Sequence, residues 1–203
     1  MLFYFCRFLL RVYLRLFHRL EPVGAENVPE EGGYLLVANH ASFLDPPIVG
    51  CPLRRRMHSL AKSELFKIFL FGPLIHAVHA HPVHRGAPDR AAIRTCAELM
   101  CSGQLLVIFP EGTRTRDGHL QRAKPGVGMI ASRAGAPCIP AYIDGAFRCW
   151  PRTRLLPRPG KIRIYYGKPF ALPAQDEGKP SKEYYQQCAD EMMRKIDELR
   201  PKQ

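Results

Sequence analysis

Tyr34-Leu35-Leu36-Val37-Ala38-Asn39-His40 decides the fold: five residues of a largely apolar run end on a polar pair. A short unbroken run after Gly32-Gly33 reads as a strand buried on both faces, the type that parallel sheets use. Leu105-Leu106-Val107-Ile108-Phe109 repeats the pattern and leaves through Pro110-Glu111-Gly112. Both strands hand polar residues to a loop at their C-terminal ends, where open α/β sheets place their chemistry. Two motifs therefore share one rim.

The rest of the chain alternates to match. Residues 88–100 repeat apolar side chains at Ile93, Cys96, Ala97 and Met100 until Ser102-Gly103, and predict a helix. A short helix is expected over 127–133, a strand over 138–143 ending at Asp144-Gly145, and an edge strand with one wetter face over 162–166. Ser181 is placed to cap a last helix carrying Tyr185, Cys188, Met192, Ile196 and Leu199. The expectation is an α/β fold: a mixed, mostly parallel sheet flanked by helices, with an amphipathic interfacial helix at the N-terminus. Residues 1–20 form that helix and 21–203 one domain; 171–180 reads as a polar loop within it.

Arg7, Arg11, Arg15 and Arg19 recur every four residues through a segment rich in Leu, Phe and Tyr. On a helix they form one slowly drifting stripe, which neither a spanning helix nor a secretory signal would carry. The segment is expected to lie in the membrane interface, its arginines among anionic headgroups. The balance of 30 Lys+Arg against 18 Asp+Glu, net +12, also asks for an anionic partner. Nucleic acid would satisfy the charge but not the two motifs, and is not assigned as a partner. Seven cysteines without a C-x-x-C pair suggest neither disulfide framework nor zinc knuckle, and fit a reducing, cytoplasmic setting. Cys101 and Cys138 read as small core residues.

His40 and Asp45 lie ~140° apart on an ideal helix, so they meet only if the segment is irregular. Pro46 and Pro47 supply the break, turning Asp45 into the end of a tight loop from which it folds back on the imidazole. The aspartate then fixes the tautomer and stabilises the imidazolium, and His40 takes the proton of an acceptor hydroxyl. Ser42 is not assigned as a nucleophile. Downstream, Gly112 lets a ligand approach the backbone, while Thr113, Arg114, Arg116 and Lys124 offer donors to a phosphate. Glu111 either orients an acceptor hydroxyl or holds Arg114. The later basic group around Trp150, Leu155 and Leu156 reads as a solvated face with a lean toward a membrane surface.

Asn39-His40 through Asp45, with Phe109-Pro110-Glu111-Gly112-Thr113-Arg114, resembles the glycerophosphate and lysophosphatidate acyltransferases of the PlsC type, a likeness that extends to Lys124-Pro125-Gly126 and Ile139-Pro140-Ala141-Tyr142. The resemblance implies transfer of an acyl group from a thioester, acyl-coenzyme A or acyl carrier protein, to the hydroxyl of a lysophospholipid, without a cofactor or metal. It implies His40 as base, Asp45 as its orienter, Glu111, Gly112 and Thr113 in the acceptor loop, and Arg85, Arg114 and Lys124 on the phosphate. The place of action it implies is the cytoplasmic face of the membrane, peripheral or monotopic. The block His79-Ala80-His81-Pro82-Val83-His84-Arg85 departs from the family pattern, with histidine for a glycine at 79 and for an acid at 84. With His76 these histidines suggest zinc only weakly, because Pro82 interrupts any helix and no acid or cysteine joins them. They are expected to line the substrate entrance and to gain charge at mildly acidic pH.

Overall fold

In a computed structural model, which describes residues 2–84, 89–175 and 180–202, the chain forms a seven-stranded sheet with helices on both faces. The strands are β1 (Glu21–Val23), β2 (Tyr34–Ala38), β3 (Met57–Lys62), β4 (Ala80–Val83), β5 (Leu105–Ile108), β6 (Cys138–Asp144) and β7 (Arg163–Tyr166). They lie in the order β1-β7-β6-β2-β5-β3-β4, parallel except where β7 runs against β6.

Continuous apolar runs follow from burial on two faces. Leu36 and Ala38 of β2 join one core with Val107, Ile139 and Ile143; Leu35 and Val37 join the other with Leu106 and Cys138. The first core is closed by α1 (Leu2–His18), α2 (Asp45–Gly50) and α6 (Ala146–Cys149), through Leu14, Ile48, Val49 and Cys149. The second is closed by α4 (Arg90–Cys101), α5 (Pro125–Ala134) and α7 (Lys182–Asp197), through Cys96, Met100, Ala131, Met192 and Ile196. A short helix, α3 (Phe71–Ala77), stands beside β4. Gly128 lets α5 lie directly on α7, since a Cβ there would strike the carbonyl of Tyr185.

Two local expectations change. The strand expected at 162–166 is not an edge, because the three-residue β1 pairs along it, leaving β1 and β4 as the short edges. Pro82 sits in β4, where a missing amide is tolerated. Of the two cysteines assigned to the core, Cys138 is buried and its thiol is pushed up to about 12 by desolvation, while Cys101 is exposed.

The N-terminal helix packs as well as projects. Leu14 is fully buried and Leu10 and Tyr13 lie on the core, while Tyr4, Phe5, Phe8, Leu9, Val12, Leu16 and Phe17 face outward. The arginine stripe is not uniformly outward as expected. Arg11 donates to the carbonyls of Cys51 (2.5 Å) and Leu53 (3.0 Å), and Arg7 to those of Arg54 (3.5 Å) and Arg55 (3.4 Å). The reason is local: Cys51 caps the end of α2, where carbonyls lack helical partners and attract cations. Burial, with Arg11 beside it, lowers the pKa of Arg7. Arg11 stays exposed despite these bonds, as do Arg15 and Arg19, and only Arg7 is half-buried. Among the described residues no helix is long and apolar enough to cross a membrane.

Candidate active site

β2 delivers Asn39 and His40 to the C-terminal rim of the sheet. Asn39 is buried and its side chain mimics a further residue of strand: Nδ2 donates to the Ile143 carbonyl (3.0 Å) and Oδ1 accepts from the Ile143 amide (2.7 Å). The chain can then leave the sheet at His40 without losing its hold on β6.

Asp45 is fully buried and opens α2. Pro46 and Pro47 therefore occupy the first turn of a helix, where their missing N–H groups have no intrahelical role; they start a helix after Asp45 instead of ending a loop on it. One carboxylate oxygen, Oδ2, accepts from the amides of Ala41 (2.6 Å) and Ser42 (2.7 Å) and from Nδ1 of His40 (2.7 Å). The aspartate thus shapes the 40–44 loop and orients the ring with the same atom. With Nδ1 engaged, Nε2 is the imidazole atom left for chemistry. The ring stacks on Phe109, 4.1 Å between centroids with an 18° tilt, and its side chain is 12% exposed.

Ser42 is buried and donates its hydroxyl to the Trp150 carbonyl (2.9 Å) while accepting from the Leu44 amide (3.1 Å). Its proton is already committed to structure, in keeping with its exclusion as a nucleophile.

The second motif is clasped to the first. Glu111, 2% exposed, takes the His40 amide on Oε1 (2.7 Å) and the Gln121 amide on Oε2 (3.1 Å); the His40 carbonyl accepts from the Thr115 amide (2.8 Å). The sequence left Glu111 between an acceptor hydroxyl and Arg114, and the structure spends both its oxygens on backbone amides. Burial pushes this carboxyl from 4.5 up to about 7, against the two amides that hold it down, with Asp45 adding to the rise.

That shift has a sign. The folded chain binds the Glu111 proton more tightly than the unfolded chain, so this group's stability contribution is full below pH 4.5 and is lost as pH rises through 7. In Glu111→Gln the titration is gone, and relative to the native protein the variant should gain about 3 kcal/mol between pH 4.5 and 8. Urea midpoints of both proteins across that range measure it; a difference independent of pH would show that Glu111 titrates normally.

Gly112 has φ +67° and its amide donates to the Phe109 carbonyl (2.9 Å). A side chain at that position would press on the stem of Lys124, whose own amide donates to the Pro110 carbonyl (3.0 Å). Lys124 is exposed and Thr113 half-buried. Arg114 lies with its guanidinium carbon 3.3 Å from the centroid of Phe43, and Phe43 packs on Trp150 at 5.2 Å. Phe43 sits within the first motif and Trp150 beyond β6, so an aromatic shelf under Arg114 joins parts of the rim that the sequence shows only separately. Arg85 falls outside the described residues.

The histidine block is rearranged. His58 of β3 donates to or accepts from His81 of β4, Nδ1 to Nε2 at 2.9 Å, with His79 5.0 Å from His58 between ring centroids; His84 pairs instead with the Ser63 hydroxyl (3.2 Å). Desolvation, with neighbouring histidines second for His81 and for His58 itself, lowers His58 to about 4 and lowers His81 also; His79 is lowered by desolvation and then by Arg56. Burial thus works against protonation of these three rings. Among the described residues no three or more His, Cys, Asp or Glu side chains are gathered as a metal would need.

An imidazole oriented by a buried carboxylate, clasped to a glycine loop on the rim of a mostly parallel sheet, places the chain in a known class. Residues 19–144 match the family model described as Acyltransferase, and the chain belongs to that family, in its PlsC type. It is 32% identical to the 1-acyl-sn-glycerol-3-phosphate acyltransferase of Bacillus subtilis, over 96% of this chain and 98% of that protein. It is 30% identical to the protein of that name from Cocos nucifera, over 71% of this chain but only 48% of that longer one. The crystal structure of the 1-acyl-sn-glycerophosphate acyltransferase PlsC from Thermotoga maritima superposes with a TM-score of 0.73 at 29% identity, over 95% of this chain and 78% of that one.

Proposed function

We propose that this protein moves an acyl group from a thioester, acyl-coenzyme A or acyl carrier protein, to the free hydroxyl of lysophosphatidate, giving phosphatidate at the cytoplasmic face of an anionic membrane. The observation that carries the reading is the His40 Nδ1 to Asp45 Oδ2 bond of 2.7 Å, set on the same rim as the Gly112 loop. Nε2 of His40 takes the hydroxyl proton as the oxygen attacks the thioester carbonyl. Collapse of the tetrahedral intermediate breaks the carbon–sulfur bond, and the departing sulfur takes the proton from the imidazolium, leaving as the free thiol and restoring neutral His40. Asp45 stabilises that imidazolium in between. Arg114 and Lys124, with Arg85, hold the acceptor phosphate. The outward face of α1 lies in the acyl boundary with Arg15 and Arg19 at headgroup level.

The relatives' names support the choice of acceptor. Thiol release by the purified protein, measured over a panel of acceptors with each donor, tests it. Lysophosphatidate is expected to exceed glycerol 3-phosphate and a neutral lysolipid by tenfold or more; preference for either of those would overturn the assignment.

A further inference from the structure

Leu155 is 88% exposed and Leu156 70% exposed, side by side at the tip of a loop that is not slack. Trp150 Nε1 donates to the Arg154 carbonyl (3.1 Å), the Arg154 amide to that of Pro151 (3.1 Å), and the Arg158 amide to that of Cys149 (2.8 Å). Pro151, Pro157 and Pro159 stiffen it further. A braced loop that holds two leucines in water has a use for them.

Its two ends tie it to places that matter. Near its start, the Trp150 carbonyl accepts from Ser42 and the indole packs on Phe43, both in the His40–Asp45 loop. At its finish, the Gly160 amide donates to the carbonyl of Phe17 (3.2 Å) and the Ile162 amide to that of His18 (2.9 Å), the end of α1. The topology agrees: Asp144 ends β6 opposite Arg163 of β7, which pairs with Glu21 of β1, so α1 enters the sheet at the rim that carries His40. Charge is one-sided. Arg152, Arg154 and Arg158 flank the leucines in sequence, and no acidic residue occurs from 145 to 175; Arg148, before the loop, lies 3.9 Å from Asp144.

We propose that the 150–160 loop is a second lipid-surface contact, with Leu155 and Leu156 in the apolar zone and its arginines on anionic headgroups. The proposal rests on the reading of α1 as an interfacial helix. A single helix lying in the interface is free to roll about its own axis; a contact off that axis fixes the roll, and this one turns the His40 rim toward the layer that holds the acceptor hydroxyl. A lipid surface fits better than an acidic carrier protein because the loop continues the outward apolar face of α1 through the Phe17–Gly160 bond.

Trp150 is the only tryptophan and reports on the loop directly. The full-length protein is titrated with phosphatidylglycerol–phosphatidylcholine vesicles whose acyl chains are brominated, and its fluorescence followed. Quenching is expected in the native protein. Leu155→Asn with Leu156→Asn should remove most of it, weaken vesicle binding about tenfold, and lower transfer to vesicle-embedded acceptor about tenfold, while transfer to a short-chain acceptor dissolved as monomers stays within about twofold. If the native protein does not bind these vesicles, the α1 reading and this one fall together. If it binds but Trp150 is not quenched and the double variant binds equally, the loop proposal alone is wrong. Loss of binding to acyl carrier protein with vesicle binding intact would overturn it in favour of a protein partner.

Discussion

Replacing His40 by alanine is expected to lower acyl transfer about 10³–10⁴-fold, with little change in the binding of donor or acceptor. A free glycerol hydroxyl is a poor nucleophile at neutral pH, and in the proposed mechanism His40 removes its proton as it attacks. That loss corresponds to about 4–5.5 kcal/mol of transition-state stabilisation. The fold should survive, because the bonds that clasp the two motif loops at this position run through the backbone: the His40 amide to Glu111 and its carbonyl from the Thr115 amide. Alanine keeps both and loses the stacking on Phe109. The measurement is initial rate of thiol release beside a urea denaturation curve. A folded variant retaining more than a tenth of the native rate would remove His40 from the mechanism.

The parts of this site that were legible in the sequence are those with a pattern of their own. β2, β5 and β6 are buried on both faces and so appear as apolar runs, which fixes the rim and puts His40 and Glu111 on it. β3 was not legible: Met-His-Ser-Leu-Ala-Lys is half-buried at nearly every position and neither alternates nor runs apolar. His58 was lost with it, since its approach to His81 depends on parallel β3–β4 register, which pairs Leu60 with His81 and leaves no trace in spacing. Glu111 and Arg11 fail for another reason. Their partners are backbone amides and carbonyls, which every residue carries, so no sequence feature announces them. The prolines after Asp45 carry the opposite lesson: proline marks both the first turn of a helix and the end of one, and only the burial of Asp45 and Ile48 under the sheet decides which. The basic character of the chain, read as one signal, divides in three dimensions: Arg7 and Arg11 brace α1 through backbone carbonyls, while Arg15 and Arg19 are exposed.

Asp45→Asn separates the two jobs of one oxygen. Oδ2 accepts from two backbone amides and from the His40 ring, in a fully buried position. Asparagine has nearly the same shape, and its carbonyl oxygen turned to the Ala41 and Ser42 amides keeps the loop. The ring nitrogen then faces a neutral acceptor, so the imidazolium formed as the hydroxyl attacks loses its counter-charge in a site where little water replaces it. The expected result is a fall in rate of about 10²–10⁴-fold with the urea midpoint near native. Asp45→Ala should lose a similar factor in rate and also about 2–5 kcal/mol of stability, because two buried amides are left without an acceptor. Running both variants makes the test specific: a purely structural aspartate would give an asparagine variant that is both stable and active, and native activity in stable Asp45→Asn would leave His40 to act without an orienter.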